Sequence, residues 1–113
     1  MWRCLVTLAS LSFAAVAGAA DYTAAQRAEF KRLHEDKCAF CHGVDGKAET
    51  WSGELLEIPD QTDPKWQSSV TDEQLIAAIA NGKGKMPLWS DELTAEQIRG
   101  IVKVVIRGFA PAK

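Results

Sequence analysis

Cys38, Cys41 and His42 stand in the run Cys38-Ala39-Phe40-Cys41-His42, two thiols three residues apart with an imidazole directly after them. On one turn of chain each thiol can bond one vinyl-derived carbon of a porphyrin, and the adjoining histidine then lies under the iron. C-x-x-C-H is therefore the attachment pattern for c-type haem. The C-x-x-C core also serves thiol redox proteins and zinc sites. A thioredoxin-like reading wants strand and helix alternating around the motif, which the sequence lacks, and a zinc ribbon wants a second, well-separated ligand pair. His34, Cys38, Cys41 and His42 would make four zinc ligands, but they crowd into nine residues and leave the rest of the chain unorganised.

The second axial ligand follows by elimination. Beyond the first twenty residues the chain holds one methionine, Met86, and one histidine besides His42, namely His34. His34 sits one helical turn before Cys38, too close to the motif to reach the opposite face of the iron, and reads as a packing or surface histidine. Met86 is distant, follows Gly82-Lys83-Gly84-Lys85 and precedes Pro87, so a loop can deliver its sulfur. Imidazole with thioether favours ferrous iron, raises the potential and closes the sixth position. A closed iron suits a carrier of electrons, not an enzyme.

The elements that must hold these ligands start after residue 20. Arg3, the apolar stretch Leu5 to Val16 and the small residues Ala17-Gly18-Ala19 read as a secretory signal peptide cleaved after Ala19 or Ala20, with residues 21–113 forming one domain. Cleavage removes Cys4. It also changes the balance of 13 cations and 15 anions in the full chain to 12 and 15, a net charge of -3. That excludes the basic excess of a nucleic-acid binder, and the leader is shorter than the roughly 20 apolar residues of a spanning helix. An exported, periplasmic, soluble monomer is expected.

Helices are announced by Thr followed three residues later by Gln, a capping box, at Thr23/Gln26, Thr71/Gln74 and Thr94/Gln97. The spacing predicts helices from about Ala24 to Lys37, Asp72 to Ala80 and Ala95 to Arg107, stopped near His42-Gly43, at Asn81-Gly82 and by Gly108 with Pro111. Between Gly43 and Val70 at most one short helical turn is expected, around Gly53 to Glu57. No segment alternates like a strand. A loop this long and a core this small call for a non-protein interior.

Together with Ile79-Ala80-Asn81-Gly82-Lys83-Gly84-Lys85-Met86-Pro87-Leu88-Trp89 and Leu93-Thr94 opening an amphipathic last helix, the motif makes the chain resemble a bacterial class I cytochrome c over essentially its whole mature length. The resemblance implies an all-α class I cytochrome c fold, three main helices plus long loops wrapped around one covalent haem c. It also implies that first and last helices cross and one haem edge stays exposed. It departs from the family at that crossing: Phe30 stands where such proteins usually have Gly, His34 where they have an aromatic, and Val104 where the last helix commonly has one. A volume-conserving repacking is expected there.

Pro59 can offer its carbonyl to the second N–H of His42. Trp51, Trp66 and Trp89 are expected to pack on haem or core, with one indole bonding a propionate. Lys37, Lys47, Lys83 and Lys85 flank the motif or Met86 and can steer an acidic partner. The expected function is a mobile shuttle moving single electrons between redox partner proteins. The alternatives are a haem subunit of a larger complex, or a ligand sensor or enzyme from whose iron Met86 dissociates.

Overall fold

The computed structural model describes Ser10 and residues 21–110, so the expected leader, Cys4 and Pro111 lie outside the described residues. Six helices follow in chain order: α1 (Ala24–Lys37), α2 (Ala39–His42), α3 (Trp51–Leu55), α4 (Pro64–Ser69), α5 (Asp72–Asn81) and α6 (Ala95–Gly100). The last runs on as a π-helical turn, Ile101–Ile106, and a 3-10 turn, Arg107–Phe109. Among the described residues there is no strand, only one isolated bridge between Lys83 and Met86.

All three capping boxes form. At α1 the Thr23 hydroxyl accepts from the Gln26 N–H at 3.1 Å while the Gln26 side chain accepts from the Thr23 N–H at 2.8 Å. Thr71 with Gln74 and Thr94 with Gln97 repeat the arrangement at α5 and α6. Each satisfies two N–H groups that a helix start otherwise leaves open.

Three expectations need correction. The stretch between α2 and α5 holds two helices instead of one turn: α3 begins two residues earlier than expected, and α4 was not foreseen. Asp63 caps α4 by accepting from the Lys65 N–H at 2.9 Å, and Pro64 occupies its first position, where a missing N–H costs nothing. The last helix is not a single regular α-helix and runs through Gly108. Its π turn places Ile101, Val102, Val104, Val105 and Ile106 all in the buried core. A wider turn carries more of a continuous apolar run inward than the one stripe of a 3.6-residue helix.

The core lies where α1 crosses this last helix, with Leu75 and Ile79 of α5 and Leu93 closing it. Phe30 is almost fully buried there, edge-on to Tyr22 at 5.0 Å between ring centroids. The small residue opposite Phe30 is Gly100, not Val104: a β-carbon at Gly100 would overlap the Phe30 ring. Trp66, Met86, Trp89 and Phe109 pack against the same core from its margin.

Candidate functional site

α1 delivers the motif. Its final turn ends as the Cys38 N–H donates to the His34 carbonyl at 2.8 Å. The chain then recoils into α2, where the Cys38 carbonyl accepts from Cys41 at 3.2 Å and from His42 at 3.0 Å. The two thiols and the imidazole thus share one tight turn, which Gly43 ends at φ 77°, a conformation that favours glycine. Cys38 is buried and Cys41 half-buried, and desolvation pushes the Cys38 thiol up to about 11.

The chain after the motif folds back to cap this turn. The Ala48 N–H donates to the His42 carbonyl at 2.8 Å, and the Thr50 hydroxyl donates to the Cys41 carbonyl at 2.7 Å. These are the two end carbonyls of α2 that the helix itself cannot satisfy.

Met86 is carried on a closed turn. The Lys83 N–H donates to the Met86 carbonyl at 3.1 Å and the Met86 N–H returns to the Lys83 carbonyl at 2.9 Å. Beyond it, Trp89 and Ser90 donate their N–H groups to Ile79 and Ala80 at 2.9 and 3.2 Å, tying the segment to the end of α5. The loop that carries Met86 is therefore fixed on both flanks. Trp89 is half-buried, and the Lys37 ammonium lies 5.5 Å from its ring centroid.

The remaining expected site residues fall differently. The bond from His42 to the Pro59 carbonyl is not made: His42 Nδ1 is buried with no acceptor, and Pro59 is exposed. His34 is buried in the helix crossing, its ring edge-on to Phe109 at 5.4 Å between centroids. Lys37 is not a free surface cation, since it lies against Trp89 and 3.8 Å from Glu92. Lys47, Lys83 and Lys85 are exposed.

These residues fit a covalent porphyrin. Trp51 and Leu55, one turn apart on α3, are 76 and 63% exposed, and Leu56 and Leu88 are exposed as well. Apolar side chains this open beside a motif of thiols and imidazole need a cover, and a flat apolar macrocycle supplies one. His42 leaves its buried Nδ1 unpaired, so that nitrogen is not spent on a hydrogen bond within the protein. The donor set of imidazole nitrogen and thioether sulfur suits haem iron. Among the described residues, no cluster of three or more His, Cys, Asp or Glu side chains forms a competing metal site.

Residues 25–103 match the family model described as cytochrome c oxidase, cbb3-type, subunit III. The chain is 29% identical over 96 residues to the chloroplastic cytochrome c6 of Chlamydomonas reinhardtii, and 33% identical over 90 residues to the cbb3-type cytochrome c oxidase subunit CcoP of Cereibacter sphaeroides. These alignments cover 80 and 75% of this chain but only 60 and 28% of those proteins. Among solved structures, the KustC0563 c-type cytochrome superposes with a TM-score of 0.67 at 35% identity, covering 72% of this chain and 96% of its own. The c-type cytochrome NirC superposes at 0.58 with 26% identity, over 80% of this chain and all of its own.

Proposed function

The chain belongs to the family described as cytochrome c oxidase, cbb3-type, subunit III, and is a class I monohaem cytochrome c with covalently bound haem c; on that premise we propose that it passes single electrons between redox partner proteins. Cys38 and Cys41 would hold the haem as thioethers, and His42 and Met86 would ligate its iron. Haem supplies the one-electron iron couple. The chain supplies everything else: attachment, ligand choice and exclusion of water.

Two fixed and separate ligand carriers support this reading most directly. His42 sits on a turn whose end carbonyls are both capped, and Met86 on a turn closed by two reciprocal bonds and anchored to α5. A ligand held this firmly would move little between oxidation states, which would lower the rearrangement that each electron demands. It also argues against a sensor or enzyme, which needs Met86 to leave. Trp89, three residues on, is proposed to line the same face.

Export to a periplasm-like compartment is part of the proposal and rests on the leader-like first twenty residues. Among the described residues no helix is long and apolar enough to cross a membrane. Exposed Lys47, Lys83 and Lys85 would meet an acidic partner. The match to an oxidase subunit family also makes a place within a larger complex a definite second reading, which co-purification tests.

The deciding experiment is a visible spectrum of the exported protein after acid-acetone extraction and in pyridine. Colour retained on the chain establishes covalent haem, and the red charge-transfer band of ferric iron bound to sulfur reports Met86. Rapid carbon monoxide binding by the reduced protein at neutral pH would overturn the carrier reading.

A further inference from the structure

Between the motif and α3 lies a contact that the attachment chemistry itself does not require. The Thr50 hydroxyl donates to the Cys41 carbonyl at 2.7 Å and accepts from the Gly53 N–H at 2.8 Å, so one side chain closes the end of α2 and starts α3. Gly53 makes the approach possible. A β-carbon there would collide with the Ala48 carbonyl and sit 2.7 Å from the Cys41 carbonyl. Ala48, which donates to the His42 carbonyl, adopts φ 56°, the left-handed region. The chain accepts strain at this point to bring α3 onto the motif.

What α3 carries explains the arrangement. Trp51 and Leu55 stand exposed on it, and Gly53 is buried against the Cys41 carbonyl. The hydroxyl bond therefore does two things at once. It fixes the Cys41–His42 peptide plane from which the His42 ring projects, and it holds the apolar wall of α3 at that plane.

We infer that Thr50 is a positioning residue that sets the solvent exposure of the haem, and through it the reduction potential, by clamping α3 to the turn that carries His42. This inference rests on the proposed ligation by His42. With the hydroxyl gone, the Cys41 carbonyl and the Gly53 N–H must each find water, and α3 lifts away. Water near the iron favours the ferric state, so the potential falls.

The test uses the holoprotein with Thr50→Val, which keeps the shape and removes the hydroxyl, and Thr50→Ser, which keeps the hydroxyl. At a fixed mediator potential, the reduced-to-oxidised ratio of Thr50→Val should drop by about threefold or more, while Thr50→Ser stays within about twofold of the parent. Equal ratios in all three proteins overturn the inference, even if Thr50→Val is less stable, because a purely structural cap leaves the potential alone. Hydrogen exchange on the parent protein supplies the second measurement should Thr50→Val fail to fold. The Gly53 amide should be protected as well as those of His42 and Gly43, and fast exchange at Gly53 alone overturns the clamp. A colourless parent protein would defeat the ligation itself, whereas a coloured parent with an unmoved potential defeats only the role of Thr50.

Discussion

The Phe30 ring occupies the space that any side chain at Gly100 would need, so α1 and the last helix cross through one aromatic and one glycine. α1 supplies the large partner at this crossing and the last helix the small one.

Gly100→Ala should cost about 1 to 3 kcal/mol by overpacking, and Phe30→Ala about 3 to 5 kcal/mol by leaving a cavity. The two must not add: with Phe30 already truncated, the methyl group at position 100 finds room. Denaturant unfolding of the singles and the double measures this, and simple additivity would show that the two residues do not oppose each other.

His34 should make the protein lose stability in mild acid. Burial and the nearby His42 hold its imidazole down to about 4, against an ordinary value of 6.5. The unfolded chain therefore takes up a proton that the folded one refuses. The stability His34 contributes is complete above pH 6.5 and is lost as pH falls toward 4, by on the order of 3 kcal/mol at most. Arg27, Lys31 and Glu35 line the same cleft, of about 370 Å³, as His34. His34→Phe restores the aromatic of the family pattern, and stability measured from pH 7 to 4 should then slope less steeply; an unchanged slope places the proton elsewhere.

Arg107 ties α4 to the last helix. Its Nε donates to Asp72 at 2.7 Å, Nη1 to the carbonyl and side chain of Gln67 at 2.7 and 2.8 Å, and Nη2 to the Val70 carbonyl at 2.7 Å. A lysine cannot span these acceptors. Arg107→Lys should cost about 1.5 to 3 kcal/mol. The Arg107 bond is also the main reason the Asp72 carboxyl lies below its usual 3.8. The stability that Asp72 adds is present above that value and lost as pH falls through the lower folded one. Asp72→Asn should flatten the unfolding profile below pH 3.8, and a profile as steep as the parent's would refute the assignment.

What was readable in the sequence was local. The capping boxes at Thr23, Thr71 and Thr94 involve groups three residues apart, so residue type and spacing suffice. Asp63-Pro64 is an equally local signal for α4, set in a stretch whose Gly, Asp and Thr residues otherwise read as loop. Cys38, Cys41, His42 and Met86 are proposed as the haem-binding residues because their chemistry is carried by residue type and scarcity. The pairing of Phe30 with Gly100, the π turn and the bond from Thr50 to Cys41 depend on how distant segments register, which periodicity does not encode. Whether the Pro59 carbonyl reaches His42 is likewise not encoded by spacing, because it depends on the backbone path after α2, which Ala48 and Thr50 cap.

Two glycines beside Met86 separate a turn that positions the sulfur from one that merely bends. Gly82 has φ 78°, and a β-carbon there would sit 2.8 Å from the Met86 carbonyl and 3.1 Å from the Leu88 nitrogen. Gly84 has φ 58° with nothing within 4 Å. Both substitutions to alanine carry a backbone cost of about 1 kcal/mol. Only Gly82→Ala also pushes the Met86 backbone aside. Gly82→Ala should therefore weaken the red charge-transfer band of the ferric protein and speed carbon monoxide binding to the ferrous protein, while Gly84→Ala lowers stability and leaves both signals intact. Should Gly84→Ala lose the band and Gly82→Ala keep it, Met86 would be held by the turn's tip and not by its close approach to the end of α5.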